Sequence, residues 1–533
     1  MERGRRLARR LRRSVLHPLP RPDRLPPPAP PRAAPVTGAP DIAVVGGGTT
    51  AACLLDAFAR HLPPGPGTLT VYEPEARLWH GRVYQDDSPE IITNIPAKEM
   101  SIRHGDPGHA VRWLTAHGHG EEGDGTQDWC PPRALMGRYM ADTADEAADR
   151  LRRAGWQVRI LPERVVRVRP APGGLVVDTR LHATLHGHLV LCVGHPELPD
   201  HYRLDGHPRY VSCPYPTRTA LAPIPPGARV AVIGTGVTAV DIVAALHARR
   251  HTGRIVLASR RGLLRAARTP PGPALRPLKH LTPERIADLH HRHRYSLDAL
   301  VTLIREELRT AGHAPQTTAR KLTSRAAPLT RLREGLHRPD HDLDLLRQAI
   351  PVIGQQAWVL LPPDDRRRLL ARHHHTFMAL GFPMPAVNAR LLDALAATGQ
   401  LQVLPGIHAV GVTGDYFTVA TRTTATTAHW VVNAATPAVR DTPRDARDLI
   451  DSLVGHGLAV RDPFGGLTVQ PGTNRLVGPG RHPDRRLYAL GDLTHGSLYV
   501  TFGIPVVTPL ADRIARTIAH DHEETPAGHH RAS

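Results

Sequence analysis

Lysine is almost missing from this chain: Lys98, Lys279 and Lys321 are the three among 68 basic residues, so arginine carries nearly all of the formal net charge of +19. Arginine, alanine and proline are raised along the whole length, which reads as the codon bias of a GC-rich genome and not as a designed basic face. Nucleic acid is therefore not an expected partner, although anionic cofactors are still attracted. Cysteine is scarce too. The four present, Cys53, Cys130, Cys192 and Cys213, form no CxxC pair and no metal-ligand spacing, which excludes a dithiol redox centre and points to a reducing, cytoplasmic setting. No apolar run approaches the ~18 residues of a spanning helix, so no membrane span is expected. With 533 residues, two or three domains are expected, enough to enclose a large ligand between them.

What is present is organised around Asp41-Ile42-Ala43-Val44-Val45-Gly46-Gly47-Gly48-Thr49-Thr50-Ala51-Ala52. A β-branched run meets three glycines and then an alanine-rich helix start. In the spacing Gly46-x-Gly48-x-x-Ala51, the first glycine permits the turn, the second lets backbone approach a pyrophosphate, and Ala51 lets helix and strand pack closely. The helix N-terminus then faces the phosphates. A second strand, Thr68 to Tyr72, ends in Glu73, where a dinucleotide fold places the acid for the ribose hydroxyls.

The same logic returns at Arg229 to Asp241, as Gly234-x-Gly236-x-x-Ala239 after a Val-Ala-Val-Ile strand. Here the next strand, Arg254 to Ala258, ends in Ser259-Arg260-Arg261-Gly262 and not in an acid. Serine and arginine bind a 2′-phosphate that a carboxylate would repel, so this second site reads as one for NADP. Two nucleotide folds in one chain are most economically explained by FAD in the first and the nicotinamide nucleotide in the second, with hydride passing between them.

Residues 1–39 carry paired arginines and a proline cluster without the apolar core of a signal peptide, so neither secretion nor twin-arginine export is expected. A disordered tail with a short basic helix at 4–15 is expected there, and a start codon assigned too far upstream accounts for it, with contact to an anionic membrane as the alternative. Between the two glycine motifs, Ile91 to Ser101 reads as a cofactor-pocket loop, and strands are expected at Gln157 to Leu161, Val165 to Val168, Gly174 to Thr179 and Leu189 to Val193, as a small antiparallel layer feeding back into the parallel sheet. From about residue 270 the pattern becomes helical, including helices at Arg366 to Leu380 and Ala389 to Ala396. His290-His291-x-His293 and His373-His374-His375 are not read as metal sites, because adjacent histidines point to different helix faces. Near the end, Leu490-Gly491-Asp492 can aim a carboxylate at a ribityl hydroxyl, and the helix from about Pro505 can direct its positive end at the flavin carbonyls.

Taken in order, the first glycine motif with Glu73, the Thr93-Asn94-Ile95-Pro96-Ala97 loop, Pro132-Arg133 with Gly137 and Tyr139, the second glycine motif, and Gly491-Asp492 resemble the FAD/NAD(P)-binding oxidoreductases. More narrowly they resemble the bacterial branch related to ornithine and lysine N-hydroxylases and flavin-containing monooxygenases. The resemblance implies an α/β fold with two dinucleotide-binding, Rossmann-like domains, the NADP domain inserted in the FAD domain, and here a helical insertion as well. It implies FAD contacts at Gly46, Gly48, Glu73 and Asp492 and NADPH contacts at Gly234, Gly236, Ser259, Arg260 and Arg261. Ala51, Asn94, Arg133, Ala239 and Gly491 complete the expected cofactor-binding set.

The division expected is a tail over 1–39, the first part of the FAD-binding domain over 40–205, the NAD(P)-binding domain over 206–270, the helical insertion over 271–385, the second part of the FAD domain over 386–520, and a disordered tail over 521–533. In monooxygenase members NADPH reduces FAD, and the reduced flavin with oxygen forms a flavin peroxide that oxygenates a soft nucleophile. A small amine or amino acid substrate is implied by the branch alone, because no substrate-binding residue carries over. The Baeyer–Villiger fingerprint is absent from the linker Val211 to Pro216, against ketone oxygenation, and the Ala-Thr-Gly strand ends of the N-hydroxylases stand here as Cys192-Val193-Gly194 and Ala434-Ala435-Thr436. An oxidase or reductase without oxygen insertion, and a flavin-binding scaffold, are the alternatives. His195 and His495 stand at strand ends expected to face the flavin, and neither is assigned a catalytic role.

Overall fold

Short runs of Val, Ile and Leu closed by glycine become strands buried on both faces, which is the condition for a parallel sheet. The computed structural model describes residues 39–119, 129–268, 277–324, 326–338, 340–437 and 441–523, and it contains two such sheets. The first runs in the order Arg475–Val477, Pro483–Ala489, His188–Leu191, Asp41–Val45, Gly67–Tyr72, Trp156–Leu161. Its neighbours are parallel, with Val44 opposite both Val71 and Val190, except for the antiparallel edge strand Arg475–Val477. The second runs Leu401–Pro405, Ile255–Ser259, Val230–Ile233, Trp430–Asn433, Tyr210–Val211, all parallel, with Val232 opposite both Leu257 and Val432.

Each sheet sends out one antiparallel three-stranded layer before a later parallel strand. In the first half this is Val165–Ala171, Gly174–Thr179 and Ala183–His186. In the second it is Ile407–Thr413, Tyr416–Thr421 and Ala425–Ala428. The segment Trp156–Leu161, expected in the antiparallel layer, is instead the outer parallel strand of the first sheet.

The pairing also moves a domain boundary. Leu401–Pro405 bonds to Ile255–Ser259, and Trp430–Asn433 to Val230–Ile233, so residues expected in the second part of the FAD domain belong to the second sheet. The first sheet resumes only at Arg475. Periodicity identifies a buried strand but does not say which sheet takes it, which is why the boundary was misplaced. The expected helix from Arg366 to Leu380 is two helices, Pro363–Arg372 and His374–Gly381. The last helix, Ile504–Glu523, takes in the first three residues of the expected tail, and the remainder, like the expected helix at 4–15, lies outside the described residues.

Several of the arginines are paired inside the fold. The fully buried Asp56 accepts from Arg60 Nε at 3.0 Å, Arg103 Nε at 3.1 Å and Arg150 Nη2 at 3.1 Å. A second buried pair joins the two sheets' units. Arg133, on the helix Arg133–Arg153, makes a bidentate contact with Asp241 on Val237–Ala248, at 2.6 and 3.1 Å, with side chains 6% and 2% exposed. Burial opposes the charge on both partners and pushes the Asp241 carboxyl up; for Arg133 burial is the largest single effect, but Asp241 together with Tyr215 and Tyr84 outweighs it and raises the guanidinium, and the bidentate geometry keeps the pair ionic. Beside it, buried Asp87 accepts from Thr217 N at 2.7 Å, Thr217 Oγ1 at 2.7 Å and Arg218 N at 2.9 Å. Asp241→Ala is expected to lower stability by about 3–5 kcal/mol, because it strands a buried guanidinium, and the double change Arg133→Met with Asp241→Leu should recover most of the loss. Urea unfolding of the two variants checks this.

Candidate functional site

The carboxyl ends of the parallel strands are where an α/β sheet receives a ligand. At the first sheet, Gly46 has φ +102°, and a Cβ there would lie 2.2 Å from Cys192 O, so the close approach of two strand ends requires glycine. Gly48 precedes the helix Thr49–His61, which has no side-chain cap and no acid in its first turn. Most of the described helices lack a side-chain cap, Thr282 and Ser296 being exceptions, so what sets this helix apart is the glycine turn that leads into it from a parallel strand. The helix behind Gly48 thus keeps backbone N–H groups for an anion. Glu73 closes one side, its Oε2 accepting from Gly47 N at 2.7 Å and its Oε1 from Glu75 N at 2.9 Å. Ala51 is fully buried beneath the turn.

Gly491, at φ +84°, brings the last parallel strand back over this turn, with a Cβ position 3.6 Å from Thr50 Oγ1. Asp492 therefore stands at the same edge, where its carboxylate pairs with His195 Nδ1. Much of the His195 side-chain surface is open, yet its ring sits among the strand ends; that enclosure lowers its pKa, and the Asp492 hydrogen bond and charge more than reverse the effect, for a net rise. At 297 positions apart, these two residues are paired by no spacing signal. The loop that follows holds two orphans: the Thr501 hydroxyl, on a residue 1% exposed, and His495 Nε2 are buried without a hydrogen-bond partner. They lie just ahead of the helix Ile504–Glu523. Thr501 was missed because a single threonine in a loop carries no spacing signal.

These features fit a flavin dinucleotide: an uncapped helix start for the pyrophosphate, Glu73 for the adenosine ribose, Asp492 for the ribityl chain, and unpaired buried polar atoms beyond it. Asn94 is pinned nearby, its carbonyl accepting from Arg268 Nη2 at 3.3 Å. Arg133 does not fit this set. Its guanidinium is engaged by Asp241 and approached by Tyr215 Oη at 3.3 Å, so it fastens two domains and is not offered to a cofactor.

The second cradle repeats the first. Gly234 has φ +135° and a Cβ position 2.3 Å from Ala434 O, Gly236 precedes the uncapped helix Val237–Ala248 with open space on its Cβ side, and Ala239 is fully buried. Ser259 is committed to the turn: it accepts from Gly262 N at 2.9 Å and lies 3.1 Å from Thr235 Oγ1, which itself donates to Leu263 O at 2.7 Å. Arg260 and Arg261 are exposed.

The helical insertion reaches the first site. Trp358 Nε1 donates to Gly496 O at 2.9 Å, and its ring stacks on Tyr499 with centroids 4.6 Å apart. Tyr499, buried and at φ +67°, lies 3.0 Å through its hydroxyl from His374 Nδ1. Burial, then the charges of His375, His495, Arg265 and Arg261, push His374 down to about 4, so it is a neutral acceptor for the Tyr499 hydroxyl at neutral pH. A strained non-glycine backbone beside a candidate site is a frequent companion of function.

Residues 43–196 match the family model described as FAD-NAD(P)-binding. No curated protein matches the chain in sequence. Among solved structures, the ornithine N-hydroxylase of Kutzneria sp. 744, described with reduced FAD, NADP+ and L-ornithine, is similar with a TM-score of 0.50 at 16% identity, over 91% of this chain and 99% of its own. The FAD-bound cadaverine monooxygenase of the desferrioxamine biosynthetic pathway from Erwinia amylovora is similar with a TM-score of 0.55 at 11% identity, over 90% of this chain and 94% of its own. At these identities the likeness is one of fold. The chain is a mixed α/β protein with the two-dinucleotide-domain fold of the flavin oxidoreductases, and its residues 43–196 form an FAD/NAD(P)-binding domain.

Proposed function

We propose that the protein is an FAD-dependent, NADPH-using monooxygenase of a small amine or amino acid, working in the cytoplasm. The observation that carries this reading is the pair of strand–glycine–helix turns at Gly46 to Gly48 and Gly234 to Gly236, on two separate parallel sheets held together by Arg133 and Asp241. When bound, FAD supplies the hydride acceptor and the means of activating oxygen. The chain's own part is to bind, orient and keep water out. Glu73 and Asp492 hold hydroxyls, the two helix starts hold pyrophosphates, and Trp358, Tyr499, Phe464 and Val500 form an apolar cluster that screens the loop after Asp492 from solvent. His195, kept protonated more readily by Asp492, is a proton donor at the same edge.

The amine or amino acid substrate is inferred from what the similar structures are named for, ornithine and cadaverine. Disulfide reduction is disfavoured by the cysteines themselves. Among the described residues none of the four is in a disulfide, burial pushes Cys53 up to about 12, and burial also raises Cys192; these two buried thiols are poor nucleophiles.

Stopped-flow absorbance of the FAD-loaded protein, reduced by NADPH and mixed with oxygenated buffer, tests the oxygen chemistry. The reading predicts a long-lived species that is neither reduced nor oxidised flavin, and a hydroxylated product when the right amine is present. Direct return to oxidised flavin with stoichiometric peroxide, with every amine tried, would instead establish an oxidase. For the nucleotide, Arg260→Ala with Arg261→Ala is expected to weaken NADPH binding about 10- to 100-fold and to leave NADH binding nearly unchanged, measured by flavin reduction at varied nucleotide concentration. Equal flavin reduction by NADH and NADPH in the unaltered protein would contradict the assignment.

A further inference from the structure

Two elements from different parts of the chain bring basic groups together beside the second cradle, with no carboxylate paired to Arg260 or Arg261 among the described residues. The turn after Ile255–Ser259 presents Arg260 and Arg261, both exposed and neither in an ion pair among the described residues. That turn runs straight into the helical insertion: Ala266 N donates to Ala379 O at 2.9 Å, Met384 N to Ala266 O at 2.8 Å, and Arg268 N to Met384 O at 2.7 Å. Pro328 of the insertion lies against the turn as well, 3.4 Å from the Cβ position of Gly262. Arg265, between them, donates to Met378 O and is pushed down to about 10 by burial, with no acid to offset it.

The helix anchored in this way, His374–Gly381, begins with two histidines whose rings are 5.5 Å apart. They divide the space between the two sites. His374 turns to Tyr499 and the flavin-side loop. His375 is exposed on the other side, and after burial it is the charges of Arg261 and Arg260 that push its pKa down. Like charges gathered without a counter-ion are costly in the free protein, and an arriving anion relieves that cost. His375 stands one helical turn before Ala379, whose carbonyl is bonded to the segment leaving that turn, with His374 beside it, and the charges of Arg260 and Arg261 act on it.

We propose that His375, carried by the helical insertion, completes with Arg260 and Arg261 the subsite for the 2′-phosphate of the nicotinamide nucleotide. The second cradle is then closed by a residue from outside its own sheet, and the helix that closes it also holds Tyr499 through His374. The inference rests on the NADPH reading above. A phosphate dianion beside His375 favours its protonated form, so binding takes up a proton. The contribution of His375 is present at low pH and is lost as pH rises through its pKa in the complex.

Calorimetric titration with adenosine 2′,5′-bisphosphate and with adenosine 5′-diphosphate, on the FAD-loaded protein at pH about 6.5 and about 8, tests this without turnover. The ligand's own second ionisation lies near 6, so the informative quantity is the difference between the unaltered protein and His375→Gln, in which the ligand's contribution cancels. His375→Gln is expected to weaken bisphosphate binding about tenfold at the lower pH, to leave diphosphate binding unchanged, and to differ less at the higher pH. His375→Arg should keep tight bisphosphate binding at both. Because His375 is exposed, neither change removes core packing. If His375→Gln retains full preference for the bisphosphate, the inference fails while the NADPH reading stands. If the unaltered protein shows no preference for the bisphosphate, the NADPH reading itself fails, and the inference with it.

Discussion

A parallel strand that turns through glycine into a helix leaves that helix with backbone N–H groups that no described side chain caps, and the candidate site depends on this constraint at two places. Behind Gly48 and behind Gly236 the first helical turn has neither a capping side chain nor an acid. The required glycines follow from it. Strand ends must come so close that a Cβ at Gly46 would strike Cys192 O, and one at Gly234 would strike Ala434 O. Both cradles sit at the carboxyl edge of their sheets, where the remaining polar groups, Glu73, Asp492, Arg260 and Arg261, are delivered by neighbouring strand ends.

Two cradles serve one reaction only if their relative position is set. Arg133 and Asp241 provide a dry, bidentate fastening between the units, reinforced by Asp87 and the backbone of Thr217 and Arg218. The helical insertion adds a second connection. It is bonded by backbone to the segment leaving the second cradle, and by Trp358 and His374 to the loop beyond Asp492 in the first. Its placement explains why Tyr499 holds a left-handed backbone: the ring is fixed by stacking on Trp358 and by the His374 contact, which together over-determine the conformation.

The strands that build each cradle were legible because a β-branched run followed by glycine is a local signal, and Glu73 and Asp492 were legible because each directly ends such a run. What depended on distant partners was not. Arg133 sits in a motif-like position, but its partner Asp241 is 108 residues away, and only the fold shows that its guanidinium fastens domains. Leu401–Pro405 and Trp430–Asn433 were recognisable as strands and assigned to the wrong sheet, since alternation carries no label for its neighbour. Ser259 was read as a phosphate ligand, and its hydroxyl is committed to Gly262 N and Thr235. Arg260 and Arg261 beside it remain exposed.

On the reading proposed above, one chain holds FAD at Gly46 to Ala51 and a nicotinamide nucleotide at Gly234 to Ala239, and hydride passes between them. The most direct measurement is anaerobic titration of the FAD-reconstituted protein with NADPH, following the flavin absorbance. One FAD per chain and complete bleaching by one equivalent of NADPH are expected. A protein that retains no FAD, or a bound flavin that NADPH leaves oxidised, would contradict that reading.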